Sequence, residues 1–121
     1  VMGLRNIDPA SRVLDDTAET IHLRTRDPHE ALTTLFEAGR RHVLLEGGPT
    51  LAAAFLRAGL VDEIVAYVAP VLLGAGRAPV GDLGIGTIAD ALRFEVAEIA
   101  TIEGDREEQP NVRMTLRPSR P

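Results

Sequence analysis

The residues best suited to chemistry stand together in this sequence as Glu46-Gly47-Gly48-Pro49-Thr50. A carboxylate can accept hydrogen bonds from a ligand, and glycines let a ligand approach the backbone closely. Proline suits the first position of a helix, where its missing amide hydrogen costs nothing. Because the free amides of a helix start attract anions, the pattern predicts a phosphate or pyrophosphate site. The expected donors are the amides from Gly48 to Ala52.

The same residues also have a simpler interpretation. Gly-Gly-Pro can be a tight turn, and Glu46 can be the solvated end of a strand. Short glycine motifs often occur without a ligand, so spacing alone leaves the two interpretations about equally supported.

Hydrophobic patterning places this motif between a strand and a helix. His42–Glu46 is a short apolar run bounded by glycines, which predicts a central strand covered on both faces. Pro49–Ala58 is apolar on nearly all sides and predicts a helix that ends at Gly59. Ligands of open α/β sheets gather beyond the carboxyl ends of strands, which is where Glu46 would lie.

The segments before the motif continue the alternation of strand and helix. Thr20–Thr25 alternates apolar and polar residues and predicts a half-buried strand. Asp27-Pro28-His29-Glu30 predicts a helix start, with Asp27 as the cap and Glu30 at capping-box spacing. Gly39 supplies the stop of that helix.

The segments after the motif add a strand and a hairpin. Glu63–Ala69 predicts a strand, and Arg93–Ile102 with Asn111–Arg117 predicts an antiparallel hairpin with a charged tip over Glu103–Gln109. Strand, helix, strand, helix, strand is typical of parallel crossovers. The sequence therefore predicts an α/β fold with a mainly parallel sheet, flanking helices and a C-terminal antiparallel hairpin.

Composition narrows the classes of function. The chain has 121 residues, a net charge of −5 and no cysteine. An acidic protein is a poor candidate for tracking nucleic acid, and the lack of cysteine excludes disulfides, thiolate zinc sites and cysteine nucleophiles. His22, His29 and His42 lack metal-ligand spacing, so no metal is expected. The apolar runs are too short for a bilayer and no signal peptide is evident, so the expectation is a cytoplasmic protein.

Residues 42–76 carry a more specific pattern. Glu46-Gly47-Gly48-Pro49 is followed by an Ala/Leu-rich helix, by Gly-Leu-Val-Asp-Glu at 59–63, by a strand ending at Pro70, and by Gly74 and Gly76. In this order the segment resembles the reductase domain of the bacterial bifunctional riboflavin deaminase–reductase. The resemblance implies a dihydrofolate-reductase-like fold and an NADPH-dependent enzyme.

That resemblance also implies a substrate and roles for individual residues. The substrate would be 5-amino-6-(5-phosphoribosylamino)uracil, or its diaminopyrimidinone relative, reduced to the ribitylamino product. Glu46 would contact the substrate, although no catalytic residue is assigned. Leu4 would lie near the adenosine end of the cofactor, where the family often has a small polar residue. The residues expected to hold the cofactor at the helix start are Gly48, Pro49, Thr50, Leu51 and Ala52. Related reductases self-associate, so we expect a homo-oligomer such as a homodimer.

The resemblance has a limit that yields a further expectation. The reductase domain of the family is longer than this chain, and its opening strands and helices have no counterpart here. We therefore expect residues 1–121 to be the C-terminal portion of a single, incomplete reductase domain that is not catalytically competent alone. The zinc deaminase half of the family needs cysteines, which this chain lacks.

Two other functions stay open at this point. One is another dihydrofolate-reductase-like NADPH reductase, acting on a pterin or on an unidentified carbonyl or imine. The other is a non-catalytic nucleotide-binding or assembly module. Arg5 and Arg24 could meet a 2′-phosphate, although their spacing does not require it.

Overall fold

A computed structural model describes residues 1–103 and 110–119 of the chain. The chain forms two compact units, Val1–Glu46 and Gly47–Pro121. Among the described residues, every helix is too short or too polar to cross a membrane. The expectation that residues 1–121 belong to a single, incomplete reductase domain stays a prediction.

The first unit is organised around helix α1, Pro28–Glu37. The Asp27 carboxylate accepts a hydrogen bond from the His29 amide at 2.9 Å, which confirms the predicted cap. Glu30 does not close the predicted capping box, because the buried Thr25 hydroxyl donates to Glu30 and accepts from the Asp27 amide. Gly39, with φ of 81°, follows the helix as predicted.

Two predicted strands of this unit are not formed. Thr20–Thr25 contributes only one bridge, a parallel pairing of Leu23 with Met2. His42–Glu46 forms no strand, and the Leu44 side chain is 81% exposed instead of buried. The physical reason is that a strand needs a hydrogen-bonded neighbour, and none lies beside residues 42–46 within the part of the chain described.

The second unit begins with helix α2, Pro49–Arg57. Its buried side chains are Ala53 and Phe55. Gly59, with φ of 66°, follows the helix and confirms the predicted stop. Arg57 near the end of α2 donates to the Asp82 carbonyl at 2.8 Å, which ties a later loop to the helix.

A three-stranded sheet completes the second unit. Its strands are β1, Ile64–Val68, β2, Phe94–Ile102, and β3, Asn111–Pro118. Their order is β1-β3-β2, and β3 pairs antiparallel with both neighbours. The predicted strand β1 and the predicted hairpin are confirmed. The predicted hairpin tip lies outside the described residues beyond Glu103.

The prediction of a mainly parallel sheet is therefore wrong for the described structure. Parallel partners must be brought alongside by a crossover, and the expected partner of β1, residues 42–46, makes no ladder. Strand β3 instead occupies the pairing edge of β1. The observed class is α/β with a small antiparallel sheet.

Truncation of Phe55 should test the packing of α2. Phe55 is 5% exposed, so Phe55→Ala should lower the free energy of unfolding by about 3–5 kcal/mol through lost burial and a cavity. Phe36→Ala is the matched control, because Phe36 on α1 is 60% exposed. Urea unfolding followed by circular dichroism measures both. Equal losses in the two variants would contradict the assignment of Phe55 to the core.

Candidate functional site

The turn into α2 presents fewer free amides than the sequence suggests. Leu51 and Ala52 both donate their amides to the Gly48 carbonyl, each at 3.1 Å. Pro49 has no amide hydrogen. Gly48 and Thr50 are left with amides that make no hydrogen bond among the described residues. The turn therefore offers two backbone donors at the positive end of a helix dipole, which suits an anion.

The two glycines of this turn have different roles. A Cβ on Gly47 would lie 2.6 Å from Leu51 Cδ2 and 2.8 Å from Leu51 Cβ. A Cβ on Gly48 would meet nothing within 4 Å, and the φ of −70° at Gly48 is open to any residue. Packing therefore explains a glycine at Gly47. The bare backbone at Gly48 faces open space, which leaves room for a ligand to approach.

A second loop braces the same turn. The Gly81 amide donates to the Pro49 carbonyl at 2.9 Å, and a Cβ on Gly81 would lie 3.1 Å from that oxygen. This close approach explains why a glycine fits at Gly81. Sequence reasoning missed this residue, because nothing in the spacing of the glycines from Gly81 to Gly86 indicates a contact with Pro49.

Glu46 and Leu4 both belong to the first unit. Glu46 is exposed, and its carboxylate makes no hydrogen bond or ion pair among the described residues, so it is available to accept from a ligand. Glu46 precedes the Gly47-Gly48 turn directly in the chain, but it does not end a strand as predicted. Leu4 is exposed and lies in the bend that follows the Met2–Leu23 bridge.

Other chemistry-bearing residues have local structural roles. His22 Nε2 lies 2.9 Å from the Gly3 carbonyl oxygen. The Thr17 hydroxyl and amide hold the pKa of Asp15 below its ordinary value, as in a solvated turn. No cluster of three or more histidine or acidic side chains suited to a metal occurs in residues 1–103 and 110–119.

Comparison with known proteins adds the family. The family model described as the RibD C-terminal domain matches residues 4–106. The chain belongs to this family. The match includes Leu4, Glu46 and the whole turn from Gly47 to Ala52, which confirms the resemblance seen in the sequence.

Curated relatives of the chain come from different organisms. The chain is 49% identical over 105 residues to riboflavin biosynthesis protein RibD of Mycobacterium tuberculosis. It is 37% identical over 111 residues to 2,5-diamino-6-ribosylamino-4(3H)-pyrimidinone 5′-phosphate reductase of Methanothermobacter thermautotrophicus. Each match covers 87% of this chain, but only 30% of the first relative and 51% of the second.

A solved structure resembles the chain in the same way. RibD of Acinetobacter baumannii, form 2, matches with a TM-score of 0.67 and 34% identity. The match covers 82% of this chain and 27% of that chain. The α/β elements described above thus agree with membership of the RibD C-terminal domain family.

The unlike roles of the two glycines predict unlike effects on stability. Gly47→Ala forces Leu51 or the backbone to move and should cost about 1–3 kcal/mol of unfolding free energy. Gly48→Ala should change it by about 0.5 kcal/mol or less, because its Cβ enters open space. Chemical denaturation of both variants measures the difference. A Gly48→Ala loss as large as that of Gly47→Ala would contradict the geometry of the turn.

Proposed function

We propose that this chain forms part of the pyrimidine reductase of riboflavin biosynthesis. The reaction is the reduction of 5-amino-6-(5-phosphoribosylamino)uracil, or its diaminopyrimidinone relative, to the ribitylamino product. The observation that carries the proposal is the match of residues 4–106 to the RibD C-terminal domain. Because the Methanothermobacter relative is named as a pyrimidinone 5′-phosphate reductase, it supports a reductase over a purely structural module.

The cofactor we propose is a nicotinamide dinucleotide, NADPH, held at the start of α2. The residues there fit such a group, because the unpartnered amides of Gly48 and Thr50 and the open space at Gly48 suit a pyrophosphate. Pro49, Leu51 and Ala52 contribute shape, since their amides are absent or already hydrogen-bonded. When bound, the nicotinamide supplies the hydride that reduces ribosyl C1′ and opens the sugar.

Glu46 is the residue we assign to the substrate. Its carboxylate is exposed and accepts no hydrogen bond among the described residues, so it can accept from the amino groups of a pyrimidine. Because this contact would orient the substrate, Glu46 is assigned to substrate binding. Leu4 is assigned to the adenosine end of the cofactor on the basis of the family resemblance.

The domain organisation, the location, the oligomeric state and the activity of the isolated chain are part of the same proposal. We assign the chain to one incomplete domain of a dihydrofolate-reductase-like fold, in a cytoplasmic homo-oligomer, and we expect no turnover from the chain alone. Fully exposed Leu72 and largely exposed Leu73 support further protein contacts, since such apolar surface favours burial. NADPH oxidation in the presence of substrate, and light scattering, test these points. Turnover by the 121-residue chain, or a monodisperse monomer, would contradict them.

A charge placed at Gly48 should weaken cofactor binding strongly. Gly48→Asp puts a carboxylate into the open space beside the two free amides, where it repels a pyrophosphate and competes for its donors. We expect the Kd for NADPH to rise at least about a hundredfold, the combined effect of competition for a backbone donor and of charge repulsion. Calorimetry measures it.

The matched control for this experiment is Gly76→Asp. Gly76 is another glycine of the second unit whose Cβ would meet nothing within 4 Å, and its φ is not in the left-handed region. This variant adds the same charge at a position outside the turn of residues 47–52 and should bind NADPH as the wild type does. Equal loss of binding in the two variants would remove support for the turn as the cofactor site.

Neutralising Glu46 should weaken substrate binding and leave cofactor binding unchanged. In Glu46→Gln the carboxylate becomes an amide with one acceptor oxygen, so charge-assisted acceptance from the pyrimidine is lost. The Kd for the phosphoribosylaminopyrimidine should rise about tenfold, as expected when one charge-assisted hydrogen bond is lost. Fluorescence or calorimetric titration with each ligand separates the two effects. An unchanged substrate Kd would overturn the role of Glu46.

A further inference from the structure

A cavity of about 350 Å³ opens at the C-terminal end of α2, within the second unit. Three stretches of chain line it: the end of α2, the segment that leads into β2, and the end of β3. Leu56 in its wall lies roughly 10 Å along the helix axis from Pro49, at a rise of about 1.5 Å per residue. The cavity is therefore separate from the turn proposed for the cofactor.

Backbone hydrogen bonds hold the walls of this cavity in place. The Ser119 amide donates to the Arg93 carbonyl at 3.0 Å, which extends the antiparallel pairing of β2 with β3. The Gly59 amide donates to the Leu56 carbonyl at 3.1 Å and closes the end of α2. Because the backbone fixes these walls, the cavity is preformed, and a ligand binds there without the entropic cost of ordering it.

Small residues account for the open space. Gly59 has φ of 66°, a conformation that favours glycine, and a Cβ built on it would meet nothing within 4 Å. Ala89 and Ala91 line the cavity from the segment before β2, and each contributes only a methyl group. The larger apolar side chains of the lining include Leu56, Val61, Leu92 and Phe94. These walls suit the apolar body of a ligand.

Arg93 adds a positive charge to the lining. Its side chain is exposed, and its Nη2 donates to the Ile88 carbonyl at 3.3 Å. No carboxylate among the described residues lies within ion-pair distance of Arg93. Asp90, close by in sequence, accepts from the Thr87 hydroxyl at 2.8 Å. The Ile88 carbonyl therefore positions the guanidinium without neutralising it, and donors of its planar fork remain for an anion.

The size and charge of the cavity define the ligand. Ligand pockets in proteins range from about 300 to 1,000 Å³, so this cavity lies at the small end and suits a single ring better than a dinucleotide. A carboxylate matches the fork of a guanidinium through two parallel hydrogen bonds. One guanidinium among apolar walls therefore favours a ligand with one negative charge.

We propose that this cavity is a binding site for a small organic acid that joins one apolar ring to one carboxylate. The ring packs against Leu56, Val61 and Phe94, and Arg93 binds the carboxylate. This inference goes beyond the proposed function and does not depend on it, because the lining contains none of the residues assigned to cofactor or substrate.

An amide-resolved NMR titration of the full chain with benzoate, benzamide and acetate tests the assignment. Benzamide keeps the ring without the charge, and acetate keeps the charge without the ring. We expect benzoate to shift the amide resonances of Gly59, Arg93 and Ser119 saturably. Its affinity should exceed that of either other probe about tenfold or more, because both parts of the molecule contribute.

Replacing the guanidinium separates the charged contact from the apolar one. Arg93→Gln should weaken benzoate binding about tenfold through the loss of charged hydrogen bonds, and should leave benzamide binding unchanged. Arg77→Gln is the matched control, because Arg77 is also exposed in the second unit, makes no ion pair among the described residues and does not line the cavity. This control should bind benzoate as the wild type does.

Other outcomes overturn the inference and leave the proposed function standing. Benzoate that causes no saturable shift, or that shifts only amides outside the lining, would remove the site. Equal affinities for benzoate and benzamide, both unchanged in Arg93→Gln, would show an apolar cavity that does not recognise an anion. Lining amides that shift with protein concentration in the absence of any probe would assign the cavity to a contact between copies of the chain.

Discussion

The contact between Leu51 and the bare backbone of Gly47 constrains the rest of the candidate site. Leu51 occupies the volume that a Cβ at Gly47 would need, so the chain reaches the helix in a fixed path. That path puts the Gly48 carbonyl in reach of the Leu51 and Ala52 amides. This backbone path also has a chemical consequence. It decides which amides of the turn form internal hydrogen bonds and which are left for a ligand.

The hydrogen bond from the Gly81 amide stabilises the same turn from another part of the chain. By accepting from the Gly81 amide, the Pro49 carbonyl fixes the first residue of the helix to the loop that also accepts from Arg57. An anion site made from backbone amides is only as well positioned as its backbone. The loop from Gly81 to Asp82 therefore supports the site without contributing a functional group to it.

Sequence reasoning succeeded where the determinants are local. Asp27 and Gly39 bound α1, Pro49 and Gly59 bound α2, and the hairpin strand predicted over Asn111–Arg117 is observed as β3. These features depend on capping, backbone conformation and the alternation of apolar and polar residue types within a few residues.

It failed where the outcome depends on partners far along the chain. The apolar run at residues 42–46 has strand composition but no strand beside it among the described residues. The motif at residues 46–50 was identified, yet the division of its amides into engaged and free ones, and the contact with Gly81, arise from geometry that spacing does not encode. The family assignment did not need these details, because it follows from the ordered motif over residues 42–76.

The most direct test of the central claim is an amide-resolved NMR titration of the chain with NADPH. If the turn holds the cofactor through its free donors, the amide resonances of Gly48 and Thr50 should shift saturably and by more than those of Leu51 and Ala52, which are bound to the Gly48 carbonyl. Saturable binding that leaves Gly48 and Thr50 unshifted would contradict the account and place the cofactor elsewhere.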